Sequence, residues 1–150
     1  MKTILPFENI LYKSSLSQDE AYNRLTDIIN TEYTYTGGWI NNTTFKISRN
    51  ISCRNSFLPE IKGEFCKDTE ETLIRVRMRL HLVVQIISGF WLIFVFFFCI
   101  IVLTSEFQKE TLIPFAMLLF GIVMIIGSFK SESRKSIKDL SRIFEAEIIE

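Results

Sequence analysis

Three arginines alternate with apolar residues in the middle of the chain. Arg75, Arg77 and Arg79 take every second position of Ile74–Leu82, and the alternate positions of that stretch are apolar. On a β-strand, this spacing places the three guanidinium groups on one face over roughly 13 Å. Arginine holds phosphate through paired hydrogen bonds, so this face could bind a phosphate-bearing ligand. The alternative is a solvated strand face that meets lipid headgroups.

Two further arginines belong to the same hypothesis. Arg49 and Arg54 are expected on strands next to the alternating one, where they could join its arginines in a ligand- or partner-binding site. The partner of such a site would be an anionic small ligand, or a protein or nucleic-acid complex that triggers or restrains the protein.

Patterns typical of catalysis or metal binding are absent from the sequence. His81 is the single histidine, which excludes any mechanism that needs two, and there is no HExxH motif or P-loop. Cys53, Cys66 and Cys99 lack the CxxC spacing of a zinc site. We therefore predict a protein that is not an enzyme and that uses no metal and no cofactor.

Charge and hydropathy narrow the class of protein further. The 150 residues carry 17 basic and 17 acidic side chains, so the net charge is zero. This balance argues against a nucleic-acid binder, which would carry a basic excess, and against a charged disordered tail. The apolar residues are concentrated in Leu82–Phe129, which indicates a small membrane protein with a soluble head.

The first candidate membrane span is Leu82–Leu103, which contains 22 residues and no charge. As a helix it would extend roughly 33 Å, enough to cross a hydrocarbon core. Its strongly polar side chains are Gln85 and Ser88, one turn apart. Together with Trp91 they could mark a helix interface, or they could simply be tolerated in the headgroup region. The alternative to a membrane span for Leu82–Leu103 is a buried core helix of a soluble protein.

The second candidate span, Leu112–Phe129, has 18 uncharged residues, which is close to the lower limit for crossing. Gly121 and Gly127 offer smooth surfaces for close contact with another helix. The joining segment Thr104–Thr111 is eight residues long, so we expect an antiparallel helical hairpin with this segment as the external loop.

Basic residues near the spans predict the orientation of the chain. The loop has one lysine, Lys109, beside Glu106 and Glu110. The residues flanking the two spans on their other sides are richer in cations: Lys67, Arg75, Arg77, Arg79, Lys130, Arg134, Lys135, Lys138 and Arg142. Both termini are therefore expected in the cytoplasm. No cleavable signal is recognisable at the start, so the first span should direct its own insertion.

The head, residues 1–81, is predicted to be an α+β domain with one helix and about five antiparallel strands. A capping box of Ser17 and Glu20 should open a helix that ends near Asn30. Alternating segments predict strands, with a tight turn at Asn41-Asn42 that tolerates positive φ. The strands are expected at Phe7–Lys13, Tyr33–Ile40, Thr43–Asn50, Phe57–Cys66 and Ile74–Leu82, with Pro59 at the start or edge of the fourth.

Two smaller expectations concern space and the C-terminus. Gly63 should lie on the inner face of its strand and leave room for Trp39 or for a ligand. The C-terminal segment, 130–150, is predicted to be a cytoplasmic amphipathic helix from Ser131. Such a helix could pack on the head, lie on the bilayer or pair with another copy. Its apolar stripe comprises Ile137, Leu140, Phe144 and Ile148.

The layout of a β-rich cytoplasmic head, two close spans and almost no external mass resembles the small two-span effectors of bacterial anti-phage systems. These effectors are associated with retrons or with cyclic-nucleotide signalling. The resemblance is one of layout and is carried by the uncharged runs Leu82–Leu103 and Leu112–Phe129 together with the head. It implies an oligomeric abortive-infection effector in the bacterial inner membrane, which permeabilises or depolarises that membrane when triggered through its head.

Two other functions remain open at this point. The chain could be a non-enzymatic membrane anchor or assembly subunit, which would have a stable partner. It could also be a small immunity protein against a pore-forming toxin, which would protect without being toxic. All three functions share the lipid bilayer as a partner, and the effector adds self-association through the spans.

Overall fold

The computed structural model of the protein describes residues 5–32, 34–50, 56–67, 72–104 and 112–149. Six strands form one antiparallel sheet in the order β2-β3-β4-β5-β1-β6. The strands are β1 (Phe7–Ser14), β2 (Tyr35–Asn41), β3 (Thr44–Arg49), β4 (Pro59–Lys67), β5 (Thr72–Leu80) and β6 (Ala146–Ile148). The helices are α1 (Gln18–Asp27), which a π-helical turn at Ile28–Glu32 follows, α2 (Leu82–Leu103) and α3 (Leu112–Ile143).

One face of the sheet carries the hydrophobic core. Residues of β5 alternate between buried and exposed, as their sequence predicts, and the buried ones face α1 and the C-terminal half of α3. Burial of this apolar face against two helices is the main force that holds such a layer together. Fully buried side chains of the core are Tyr12, Leu25, Phe45, Ile61, Ile74, Val76, Met78, Leu140 and Phe144.

Local signals in the sequence are confirmed where they depend on neighbours in the chain. The Ser17 side chain accepts from the Glu20 backbone N–H, and Glu20 accepts from the Ser17 backbone N–H, which completes the predicted capping box. Pro59 is the first residue of β4, where its missing N–H breaks no pair. The strand predicted as Ile74–Leu82 ends at Leu80, because His81 accepts from the Val83 N–H and caps α2.

The predicted turn at Asn41-Asn42 is shifted by one residue. Asn41 pairs with Thr44, so the turn residues are Asn42 and Thr43. The turn needs no positive φ: among the described non-glycine residues, Glu145 alone has one. A bulge between Trp39 and Asn41 displaces the register, which alternation along one strand cannot reveal.

The C-terminal segment is not a separate helix, contrary to the prediction. The second apolar stretch and the amphipathic stretch form the single helix α3 of 32 residues, because no proline or glycine interrupts the sequence between Gly127 and Ile143. Beyond it, Glu145 adopts positive φ and the chain returns as β6, the strand that brings the sheet to six. Of the three placements, the structure shows packing on the head, where Leu140 and Phe144 are fully buried.

The helices α2 and α3 are each long and apolar enough to span a membrane. Most of their apolar side chains are exposed, and in α2 only Val95 and Cys99 are buried. A core helix of a soluble protein would bury this surface, so the exposure favours contact with lipid. Apart from Thr104, the predicted external loop lies outside the described residues.

Candidate functional site

The arginine face is present and lies on the side of the sheet opposite α1 and the C-terminal half of α3. Arg75, Arg77 and Arg79 are exposed, whereas the residues between them are buried. The register places an opposite residue on β4 beside each: Glu64 beside Arg75, Lys62 beside Arg77 and Glu60 beside Arg79. Side chains that face each other in this way lie about 5 Å apart and feel each other's charge.

The three arginines differ in their electrostatic surroundings. The carboxylate of Glu60 is bound by Lys46 Nζ at 2.5 Å, and among the described residues no acidic group forms an ion pair with Arg79. Arg77 lies in a row of cations, since Lys46 pairs with Lys62 on the adjacent strand and Lys62 pairs with Arg77. The face is therefore mixed in charge, with its excess of positive charge around Arg77 and Arg79.

Arg49 does not join these arginines, because it lies on the opposite face of the sheet. It follows the buried Phe45 and Ile47 at the same two-residue spacing and points towards α3. Its guanidinium Nη2 lies 3.5 Å from Asp139 Oδ2, and Nη1 lies 3.8 Å from Glu132 Oε2. Arg54, the other predicted member, lies outside the described residues.

Arg49 instead belongs to a polar network that fastens α3 to the sheet. The Tyr35 hydroxyl donates to Asp139 at 3.4 Å, and burial raises the pKa of Tyr35 to about 12. The Tyr12 hydroxyl donates to the Ile137 carbonyl, and burial raises its pKa well above the ordinary value. Both hydroxyls thus stay protonated as donors at neutral pH. Nearer the apolar half of α3, Lys130 Nζ contacts Glu8 Oε1 on β1 at 2.6 Å.

A cleft of about 420 Å³ separates the edge of the head from the two long helices. From the head, Asn9 of β1 and Arg79 of β5 line it together with Pro6, Phe7 and Leu80. From α2 come Gln85, Ser88, Gly89 and Leu92, and from α3 comes Ile125. At the head end the cleft is mixed, since Asn9 and Arg79 lie beside three apolar residues, and further along the helices it is apolar at Ile125 and at Leu92, about 10 Å beyond Gln85 on α2.

The residues predicted to form a helix interface lie in three separate places. Trp91 packs directly on Gly121 of α3, where an added Cβ would lie 2.1 Å from Trp91 Cζ3. Gln85 and Ser88 lie at the cleft, and Gln85 Nε2 donates to the Leu80 carbonyl at 2.6 Å. Gly127 is apart from both, with no atom within 4 Å of a Cβ placed there.

The space at Gly63 is filled by a residue that the sequence analysis did not name. The ring of Phe45, directly across from Gly63 on β3, occupies the position of the missing side chain, so neither Trp39 nor a ligand does. Trp39 stacks instead on Tyr22 of α1 with 4.1 Å between ring centroids, and its indole N–H donates to Thr26.

Of the ten residues that line the cleft, the sequence analysis names three as candidate site residues, Arg79, Gln85 and Ser88. Asn9, on the strand beside β5, and Ile125, which lines the cleft because α3 contacts α2, are among those it missed. Within the described ranges, no group of three or more His, Cys, Asp or Glu side chains could hold a metal ion.

No family model, curated protein or solved structure matches the chain.

Proposed function

We propose that the protein is a two-span integral protein of the bacterial inner membrane, with α2 and α3 as a helical hairpin and both termini in the cytoplasm. The length and exposed apolar surface of the two helices support the spans. The basic residues of β5 and of the C-terminal half of α3 support an orientation with both termini in the cytoplasm, since basic residues accumulate on the cytoplasmic side of a membrane.

Its activity, we infer, is that of a triggered membrane effector: an event at the head changes the membrane helices, and assembled copies permeabilise the membrane. The observation that carries this proposal is the continuity of α3, which extends without a break from the apolar zone into the core of the head. On the other side, β5 passes into α2 through His81 alone. A simple anchor would need only one span on a flexible linker.

The same helices favour a second candidate, a non-enzymatic membrane anchor or assembly subunit. From Gly89 to Leu103, α2 has no charged or amide side chain, and α3 has none from Leu112 to Gly127. A ring of such helices would have no polar lining for a water-filled pore. Permeabilisation by this protein would therefore arise from packing defects between assembled copies and lipid.

Dye uptake on inducible expression in bacteria, measured with and without phage infection beside the native neighbouring genes, tests the proposal. We expect uptake with the wild-type chain and with Phe96→Leu, and none with Phe96→Arg. Phe96 is 53% exposed, so neither change disturbs a core. Arginine at the centre of a span costs about 3 kcal/mol on insertion scales.

Membrane levels of each variant, measured by immunoblot, control for expression. If the wild-type chain is present in the membrane and admits no dye in either condition, the effector proposal is wrong and the anchor remains. Protection of cells from a pore-forming toxin, without uptake, would identify an immunity protein instead.

A further inference from the structure

We propose that the cleft between the head and the helices binds one anionic phospholipid of the cytoplasmic leaflet. Its phosphate would lie at Arg79 and Asn9, and an acyl chain would extend along α2 past Gly89 and Leu92. This inference rests on the proposed membrane-spanning arrangement and names a ligand for it.

The polar residues that line the cleft suit the headgroup of a phospholipid, and the apolar residues suit its acyl chain. Arg79, Asn9 and Ser88 provide polar groups near the head, and Leu92 and Ile125 form an apolar wall further along the helices. A soluble phosphate compound would match only the first part. An amphiphile with an anionic head matches both parts, as ligand sites that combine an apolar wall with a few placed polar groups generally do.

Arg79 is the cation in this cleft that is available for an anion. The neighbouring carboxylate, Glu60, is engaged by Lys46, and among the described residues Arg79 forms no ion pair. A planar guanidinium makes paired, charge-assisted hydrogen bonds to phosphate oxygens. One of the two N–H groups on Gln85 Nε2 donates to the Leu80 carbonyl, so the other N–H, Asn9 and the Ser88 hydroxyl are the further donors in the cleft.

Gly89 keeps the groove open along α2. An added Cβ at this position would have no atom within 4 Å, in contrast to Gly121, where Trp91 takes the space. Gly89 follows Gln85 by about one helical turn and precedes Leu92 by about another, so it lies midway along the wall. A large apolar side chain there would occupy the space that we assign to the acyl chain.

The position of the cleft relative to the membrane favours a lipid headgroup over a soluble compound as the source of the anion. Arg79 is three residues before the first residue of α2, so it lies at most roughly 10 Å from the start of the proposed span, on its headgroup side. Arg77 and Arg75 are successively further from the bilayer. The cytoplasmic leaflet is rich in anionic lipids, and it attracts cations close to the surface.

Native mass spectrometry of the full-length chain in detergent, titrated with phosphatidylglycerol and with phosphatidylcholine, tests the site. We expect Arg79→Gln to weaken phosphatidylglycerol binding by at least about tenfold, because the variant loses at least one charge-assisted hydrogen bond to the phosphate. Arg75→Gln is the matched control, because it removes the same charge from the same strand face outside the cleft, two residues further from the cleft along β5 than Arg77, the residue that pairs with Asn9. It should leave the affinity for phosphatidylglycerol within about twofold. Wild-type binding of phosphatidylcholine should be weaker than that of phosphatidylglycerol, because the choline cation offsets the charge of the phosphate.

A second pair of variants tests the acyl-chain part without changing any charge. Gly89→Leu should reduce binding of phosphatidylglycerol at least as much as Arg79→Gln does, whereas Gly127→Leu on α3, outside the cleft, should not. Equal loss in Arg79→Gln and Arg75→Gln would overturn the proposal. So would competition by glycerol phosphate at the same concentration as the lipid, since the site would then be one for a soluble anion. Dye uptake is measured separately, so a protein that binds lipid without permeabilising cells contradicts only the effector function.

Discussion

Gly63→Val should destabilise the head by about 3 kcal/mol, because it overpacks a site already filled by an aromatic ring. A Cβ at Gly63 would lie 2.0 Å from Phe45 Cζ, and Phe45 is itself fully buried beneath α3. Thermal unfolding of the full-length chain in detergent, followed by circular dichroism, measures the loss as a lowered Tm.

Gly38→Val is the matched control for this substitution. Gly38 lies on the edge strand β2, and nothing lies within 4 Å of an added Cβ, so we expect a change below about 1 kcal/mol there. Phe45→Ala should cost about 4 kcal/mol alone but should cost much less in the Gly63→Val background, where the valine fills part of the cavity. Equal destabilisation at Gly38 and Gly63, or additive effects in the double variant, would contradict this packing.

Ser131→Pro should uncouple the head from the two long apolar helices. Ser131 is an exposed residue of α3 between its apolar half and the half that packs on the sheet. Proline there removes a backbone hydrogen bond and clashes with the preceding turn, at a cost of about 3 kcal/mol or more. We expect a lower Tm of the head and loss of triggered dye uptake, although the chain still reaches the membrane.

Ser131→Ala is the control, since alanine keeps the helix and removes only an exposed hydroxyl. It should preserve both the Tm and the dye uptake of the wild-type chain. If Ser131→Pro retained full triggered uptake with a lowered Tm, the continuity of α3 would not transmit the signal, and that part of the account would be wrong.

The sequence predicts best the features that depend on nearby residues. The capping box of Ser17 and Glu20, the alternation in β5 and the bounds of Leu82–Leu103 all follow from spacing along a single element. The α+β head and the exposed arginine face follow from them as well.

Features set by contacts between distant segments could not be predicted in the same way. The alternation along β3 puts Arg49 on the inner face, two residues after the buried Ile47, but its partners Glu132 and Asp139 are more than 80 residues away in the sequence. Phe45 beside Gly63 is likewise a matter of strand pairing. The cleft combines β1, β5, α2 and α3, so no single stretch of sequence contains its pattern.

The account depends most of all on the membrane topology of the chain, and alkaline phosphatase fusions test that directly. The enzyme is active only after export, so a fusion within Thr104–Thr111 should be active and fusions at either terminus should be inactive. Fluorescent-protein fusions at the termini provide the complementary signal from the cytoplasm. Phosphatase activity at either terminus, or none in the segment Thr104–Thr111 of a stably expressed fusion, would contradict two spans with a cytoplasmic head.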